Sequence, residues 1–246
     1  MIEITNFKKE RQADIEKMSK DSELHELSLE WMLKADKYKY TYNYSWMGRP
    51  IIKYPNDMLL QQEIMWDIKP DLIIETGIAH GGSIVFSASM QQMMGIENAE
   101  VVAIDIDIRA HNRKEIEKNP MNKYITMYEG SSIDEDILNL VAKHTIGKKC
   151  IMLILDSNHT HEHVLEELNM YSKFVSLNSY ILLPDTFIEY FPKGYYSDNR
   201  PWDVGNNPMT AAREFLKNNQ SYEVDTSRTN KLSITEMFDG VLKRVK

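Results

Sequence analysis

The sequence predicts one doubly wound α/β domain with a mainly parallel sheet, preceded by a helical extension. Two observations carry this expectation. Short apolar runs recur along the chain, among them Leu72-Ile73-Ile74, Val101-Val102-Ala103-Ile104 and Ile151-Met152-Leu153-Ile154-Leu155. Unbroken runs of that length mark strands buried on both faces. Longer amphipathic segments separate them, and strands alternating with helices build a parallel sheet covered on both sides.

Residues 8–36 are charged, yet Ile15, Met18, Leu24, Leu27, Leu29, Met32 and Leu33 recur at near-helical spacing. One or two amphipathic helices are expected there. Residues 37–54 carry Tyr38, Tyr40, Tyr42, Tyr44, Trp46 and Tyr54. Such a segment serves as packing, as an oligomer contact, or as a lid over a pocket. The boundary is therefore set between an extension over 1–54 and the main domain over 55–246. Within the latter a helix is expected at 57–68, capped by Asn56 or Asp57. Strand 72–74 leads to helix 83–94, ended by Gly95. Strand 101–104, a polar helix at 109–118, strand 124–128 and helix 134–143 follow. Strand 151–155, helix 161–174, strand 180–183 and helix 210–218 come next, and 222–224 and 231–234 are read as the late strands.

Asp and Glu outnumber Lys and Arg 37 to 29, for a net charge of −8. That balance argues against a protein built to grip nucleic-acid backbones, while a local basic pocket for a small nucleotide stays compatible with it. Cys150 is the single cysteine, so no internal disulfide forms and a reducing cytoplasm is the expected location. It opens an apolar run and reads as an inert core thiol. The first residues lack a signal-peptide pattern, and no stretch approaches the roughly 18 apolar residues of a membrane span.

In sheets of this kind ligands bind beyond the carboxyl ends of the strands. The first strand is followed by Glu75-Thr76-Gly77-Ile78-Ala79-His80-Gly81-Gly82-Ser83. Three glycines between strand and helix permit a tight turn and a close approach to a ligand. The spacing is not Gly-x-Gly-x-x-Gly and no Lys-Ser or Lys-Thr follows, which disfavours a dinucleotide fold and a P-loop. Asp105 ends the second strand, where an acid accepts hydrogen bonds from ribose hydroxyls. Asp107 lies further out. Glu129-Gly130-Ser131-Ser132 follows the third strand as a small polar turn able to flank an adenine ring. Asp156-Ser157-Asn158-His159 follows the fourth, and Pro184-Asp185-Thr186 the fifth. Each alone is an ordinary cap or loop; five polar turns at successive strand ends make a binding constellation.

These residues resemble the class I S-adenosylmethionine-dependent methyltransferases, and more narrowly the cephalosporin hydroxylase-like family, which is similar to rhamnosyl and other sugar O-methyltransferases of surface-glycan pathways. The matching segments are DLIIETGIAHGGSIVFSAS (71–89), VVAIDIDIR (101–109), LDSNHTHEHVLEELNMY (155–171) and RPWDVGNNPMTAAREFL (200–216). The resemblance implies a Rossmann-like class I domain with S-adenosyl-L-methionine as cofactor. It implies that Glu75, Gly77, Gly81, Gly82 and Ser83 surround the methionine part, with Thr76 in the same turn. Asp105 would bind the ribose, Ser131 and Ser132 would line the adenine site, and Asp156 would lie near the sulfonium. Related small-molecule O-methyltransferases hold Mg²⁺ with an acid after strand four and two adjacent ligands after strand five. Those positions look like Asp156, Pro184 and Asp185. Proline offers no side-chain ligand, a departure from the pattern; Asn158 is the candidate replacement, giving Asp156, Asp185 and Asn158 as the metal set. The sequence leaves a catalytic metal open.

Methyl transfer to a hydroxyl needs the acceptor aligned and its proton removed. Histidine titrates near neutral pH without special tuning. His159 lies nearest the end of strand four and is the expected general base, with Asp156 and Asp185 as its catalytic neighbours. Asp185 is expected to orient the imidazole or to act as base itself. His161 and His163 enter the helix two residues apart and face different ways. Helix capping is the alternative for the whole run. A zinc site is disfavoured, since only His159 and His163 would share a face and no thiolate is near. His80, inside the glycine loop, contacts cofactor or acceptor, or holds its own backbone.

The acceptor pocket is expected from 38–54 and from 186–207, which holds Phe187, Tyr190, Phe191, Tyr195, Tyr196, Arg200 and Trp202. Aromatic faces suit a sugar ring or nucleobase. Arg200 either pairs with phosphate or anchors the Asp198-Asn199 turn. The leading expectation is an O-methyltransferase for a sugar or nucleotide-linked sugar, soluble and self-associating. The alternatives are a natural-product methyltransferase with bound Mg²⁺ and a cofactor-binding partner protein without catalysis.

Overall fold

The computed structural model describes residues 2–196, 198 and 200–246. The N-terminal extension forms two helices, α1 (Ile2–Met18) and α2 (Ser22–Asp36). Asp21 separates them by capping α2, its carboxylate accepting from the Leu24 N–H at 3.0 Å. A 3-10 turn over Tyr40–Asn43 then leads into a hairpin of β1 (Tyr44–Trp46) and β2 (Arg49–Ile51). Its two-residue turn, Met47 and Gly48, has φ of 45° and 80°. Two successive positive φ angles match the twist of a tight hairpin. The sequence expectation contains no strands here.

Helix α3 (Pro55–Ile68) starts earlier than expected because Pro55 presets the first helical φ. Neither Asn56 nor Asp57 caps it. The Asn56 side-chain amide donates to the Ile234 carbonyl at 3.1 Å. Asp57 is fully buried and accepts from the Thr235 hydroxyl and, at 2.8 Å, from the Glu236 N–H.

From there helices and strands alternate: β3 (Leu72–Thr76), α4 (Gly82–Met93), β4 (Glu100–Asp105), α5 (Ala110–Glu117), β5 (Ile125–Glu129), α6 (Glu135–His144), β6 (Ile151–Leu155), α7 (His161–Tyr171) and β7 (Tyr180–Leu182). The chain closes with α8 (Pro208–Asn218), β8 (Tyr222–Val224), the short α9 (Thr226–Thr229) and β9 (Val241–Arg244). Residues 231–234 form no strand, contrary to expectation. The Ile234 carbonyl and its neighbours Thr235 and Glu236 are tied to α3, while Val241 and Leu242, both fully buried, supply the apolar pair a central strand needs.

The seven strands run in the order β5-β4-β3-β6-β7-β9-β8. Strands β3 to β7 are mutually parallel, and β9 pairs antiparallel with both β7 and β8. Alternate side chains feed two cores. Ile73, Val101, Ala103, Met152 and Ile154 face one layer, and Ile74, Val102, Ile104, Ile151 and Leu153 the other. A third cluster joins Met32 and Tyr54 of the extension to Phe187, Ile188 and Phe191 after β7. It fastens the N-terminal segment over the carboxyl end of the sheet. No described helix is long and apolar enough to cross a membrane.

Candidate active site

Successive connections leave opposite sides of β3, since β4 lies to one side and β6 to the other. A crevice must open at that switch point. A cavity of about 750 Å³ lies there, walled by the ends of β3, β4, β6 and β7 and by the hairpin and the segment after it. Its size is that of a small-molecule site.

Glu75 and Thr76 belong to β3 itself rather than to the loop after it. Glu75 lines the cavity and is fully buried, and neither of its carboxylate oxygens has a partner among the described residues. The Ser83 hydroxyl, also in the wall, is likewise unmet. Burial pushes the Glu75 carboxyl up to about 7, opposed by Lys53 and by the Ser83 hydroxyl, which lies close to it without reaching hydrogen-bond geometry. Buried polar groups without partners are uncommon and costly, so this pair is a candidate place for a ligand to complete the bonding. A cationic amine suits it. The Thr76 hydroxyl is also buried without a partner, but Thr76 and Gly81 lie outside the cavity wall.

The positive φ of Gly77 and Gly81 bears out the tight turn the sequence suggested, and the glycines have a further reason besides. Gly77, at φ 90°, would put a Cβ 1.9 Å from the Asp156 carbonyl oxygen. A Cβ on Gly82 would stand 2.2 Å from the Pro50 carbonyl, and one on Gly81, at φ 83°, 2.5 Å from the Ile116 side chain. Each glycine lets protein approach protein. The consequence still serves the cavity, because these contacts draw the β6 turn and the hairpin against the loop.

Asp105 organises that loop. Its Oδ2 accepts from the N–H groups of Ile78 at 2.8 Å and Ala79 at 3.1 Å, and its Oδ1 accepts from Asp107 N–H at 3.1 Å. Asp105 lines the cavity, and a carboxylate, with about four lone-pair sites, retains capacity for a ribose hydroxyl. His80 rests its Nδ1 3.3 Å from the Asn112 side-chain oxygen, which also accepts from Arg49 at 3.0 Å. Ser131 and Ser132 lie in the wall beyond β5. The Ser132 hydroxyl meets His163 Nε2 at 3.0 Å, and Ser157 Oγ lies 3.2 Å from the same nitrogen.

The three nearby histidines therefore separate. His159 precedes the helix, which begins at His161, so His159 and His163 share no helical face. His161 turns to α8, its ring 2.9 Å from Thr210 Oγ1 and 3.2 Å from Glu214 Oε2. His159 faces the cavity, with Nε2 3.4 Å from Asp185 Oδ2 and its ring edge-on to Trp202 at a centroid distance of 4.6 Å. Asp185 itself sits in the left-handed region, φ 59°. Burial raises its carboxyl, the neighbouring His159 opposes, and Asp156 adds to the rise.

Lys53 is the residue that sequence reasoning missed. Its ammonium is 3.2 Å from Asp156 Oδ2 and 3.1 Å from Glu236 Oε1, with only 4% of the side chain exposed. Burial pulls the ammonium down, but Asp156, Glu236 and Glu75 outweigh it and hold it well above the ordinary lysine value. Its one sequence signal is a lysine enclosed in the otherwise apolar Pro50-Ile51-Ile52-Lys53-Tyr54.

Asp156, His159 and Asp185 offer one ligand atom each, all within 4.8 Å of one another. Asn158 does not join them: its Oδ1 accepts from the Thr160 N–H at 3.1 Å. Two carboxylates and an imidazole fit a divalent cation. Arg200 lies over the Trp202 ring at 5.2 Å; of the turn it was expected to anchor, Asn199 lies outside the described residues.

A parallel sheet ending in an antiparallel pair, flanked by helices and with a cavity at its switch point, is the Rossmann-like fold of the class I methyltransferases. The chain belongs to the Rhamnosyl O-methyltransferase/CmcI family, whose model matches residues 38–245. It is 28% identical to the rhamnosyl O-methyltransferase of Mycobacterium leprae over 204 residues, covering 81% of this chain and 82% of that one. The rhamnosyl O-methyltransferase of Mycobacterium tuberculosis H37Rv is 28% identical over 208 residues, 81% of this chain and 78% of that one. Among solved structures, CmcI with Mg and SAM superposes with a TM-score of 0.57 at 22% identity, over 83% of this chain and 78% of that one. An O-methyltransferase from Bacillus cereus in complex with SAH gives 0.51 at 16% identity, over 80% and 81% of the two chains.

Proposed function

We propose that this protein transfers a methyl group from S-adenosyl-L-methionine to a hydroxyl of a sugar or nucleotide-linked sugar in surface-glycan biosynthesis. The observation that carries the reading is Glu75, a buried carboxylate facing the cavity with both oxygens unmet. The cofactor supplies an electrophilic methyl group when bound. Glu75 and Ser83 receive its amino-acid end, Asp105 its ribose, and Ser131 and Ser132 flank its base. With Nε2 of His159 held toward Asp185, Nδ1 is left to take the acceptor's proton, and Asp185 stabilises the imidazolium that forms. Trp202 fixes the ring and walls the acceptor side.

The cluster of Asp156, His159 and Asp185 supports a second reading. In it Asp156, Asp185 and His159 would hold Mg²⁺ or another divalent cation, which would supply positive charge to favour loss of the acceptor's proton in place of a free imidazole. Turnover assays with S-adenosylmethionine and nucleotide-sugars, with and without chelator, separate the two. Residues 1–54 are read as lid and self-association surface: the packing of Met32 and Tyr54 on the segment after β7 supports the first, and the exposure of Ile4 and Phe7 on α1, 63% and 62%, the second. That exposure supports a homo-oligomer and the lone Cys150 a cytoplasmic location; a monomeric mass by light scattering would count against the first.

A further inference from the structure

Charge is distributed unevenly along the cavity. Its floor gathers Glu75, Asp156, Asp185 and Glu236 about the single ammonium of Lys53. Its exposed wall carries Lys37, Lys39 and Arg200, for which no ion pair is found among the described residues. Asp36, next to Lys37 in the sequence and in the same cavity wall, accepts from the Tyr195 hydroxyl at 3.0 Å. In a chain of net charge −8 these cations run against the overall field. They are also connected to the reacting end. Arg200 lies 5.2 Å over the Trp202 ring, and the same ring meets His159 at 4.6 Å. A ligand with a hydroxyl at His159 and its body along Trp202 therefore ends at Arg200.

This polarity suits two ligands of opposite charge. The acidic floor favours a cationic methyl donor, and the basic wall an anionic acceptor. Resting on the methyltransferase reading above, we propose that the acceptor is a sugar bearing a phosphate or diphosphate, with that group held by Lys37, Lys39 and Arg200. Guanidinium and ammonium groups hold phosphate through charge-assisted hydrogen bonds. A neutral glycan would leave all three cations unused.

Calorimetry with inorganic pyrophosphate, uridine diphosphate and farnesyl diphosphate tests this on the full chain saturated with S-adenosylhomocysteine. Pyrophosphate should bind, and more weakly as salt is raised. Lys37→Ala, Lys39→Ala and Arg200→Ala should each weaken it by roughly threefold to tenfold. Their affinity for S-adenosylmethionine should not change, which also shows that the variants fold. Tighter binding of uridine diphosphate would identify a nucleotide-linked sugar, and tighter binding of farnesyl diphosphate a lipid-linked one. Cofactor binding with no affinity for any of the three probes, or affinity indifferent to the substitutions, overturns the proposal and leaves the methyltransferase reading standing. Absence of cofactor binding overturns that reading instead.

Discussion

Lys53 and Asp156 meet across 103 positions of the sequence, ammonium to carboxylate at 3.2 Å, and join the hairpin segment to the end of β6. The same ammonium reaches Glu236 at 3.1 Å near the C-terminus. One buried cation thus ties three separated parts of the chain together at the cavity floor.

Removing it leaves the carboxylates uncompensated. Lys53→Met is expected to destabilise the fold by about 3–5 kcal/mol, the usual cost of stranding a buried partner. Adding Glu236→Gln should recover part of that loss. Denaturant unfolding of the two variants checks it; a single variant as stable as the parent would show that the ion pairs carry no weight.

Glu75 makes the apo protein sensitive to pH. Burial pushes its carboxyl up to about 7 in the folded state, from the ordinary 4.5 of the unfolded chain. Ionisation is therefore penalised only when folded, so stability falls as pH rises from about 4.5 to 7 and then levels. The loss is on the order of 3 kcal/mol. Glu75→Gln should be less sensitive over that window than the parent, in paired melts at pH 5 and pH 8. The same variant should bind S-adenosylmethionine at least tenfold more weakly, since a charge-assisted contact is worth about 1.5–3 kcal/mol.

His159→Ala should lower turnover by about 10²- to 10⁴-fold while cofactor affinity stays near that of the parent. Asp185→Asn should also reduce turnover, by loosening the ring's orientation. Near-normal rates in His159→Ala would exclude it as general base.

Gly77→Ala should be poorly tolerated: its Cβ would meet the Asp156 carbonyl at 1.9 Å, at φ 90°. A loss of at least about 2 kcal/mol is expected from the contact and the strained backbone together. Thermal unfolding checks this. Gly95→Ala is the control, since nothing lies within 4 Å of its Cβ and only its φ of 66° costs.

The sheet was readable because β3, β4 and β6 are continuous apolar runs, a pattern that burial on both faces imposes locally. The polar turns at their ends were readable for the same reason: a buried strand must stop somewhere. The hairpin of β1 and β2 escaped because three-residue strands leave no period, and Met47 hides the positive φ that Asn or Gly would announce. The shift of the last strand from 231–234 to Val241–Arg244 depends on Asp57 holding Thr235 and Glu236, a contact spanning most of the chain. The cavity floor escaped similarly. Lys53, Asp57 and Glu236 look like ordinary surface charges until folding buries them together, and Asp57 even mimics a helix cap.

Calorimetric titration of the purified protein with S-adenosylmethionine is the most direct trial. Saturable one-to-one binding, shared with S-adenosylhomocysteine, is expected. No measurable heat or displacement with either compound at millimolar concentration would contradict the assignment of the cavity.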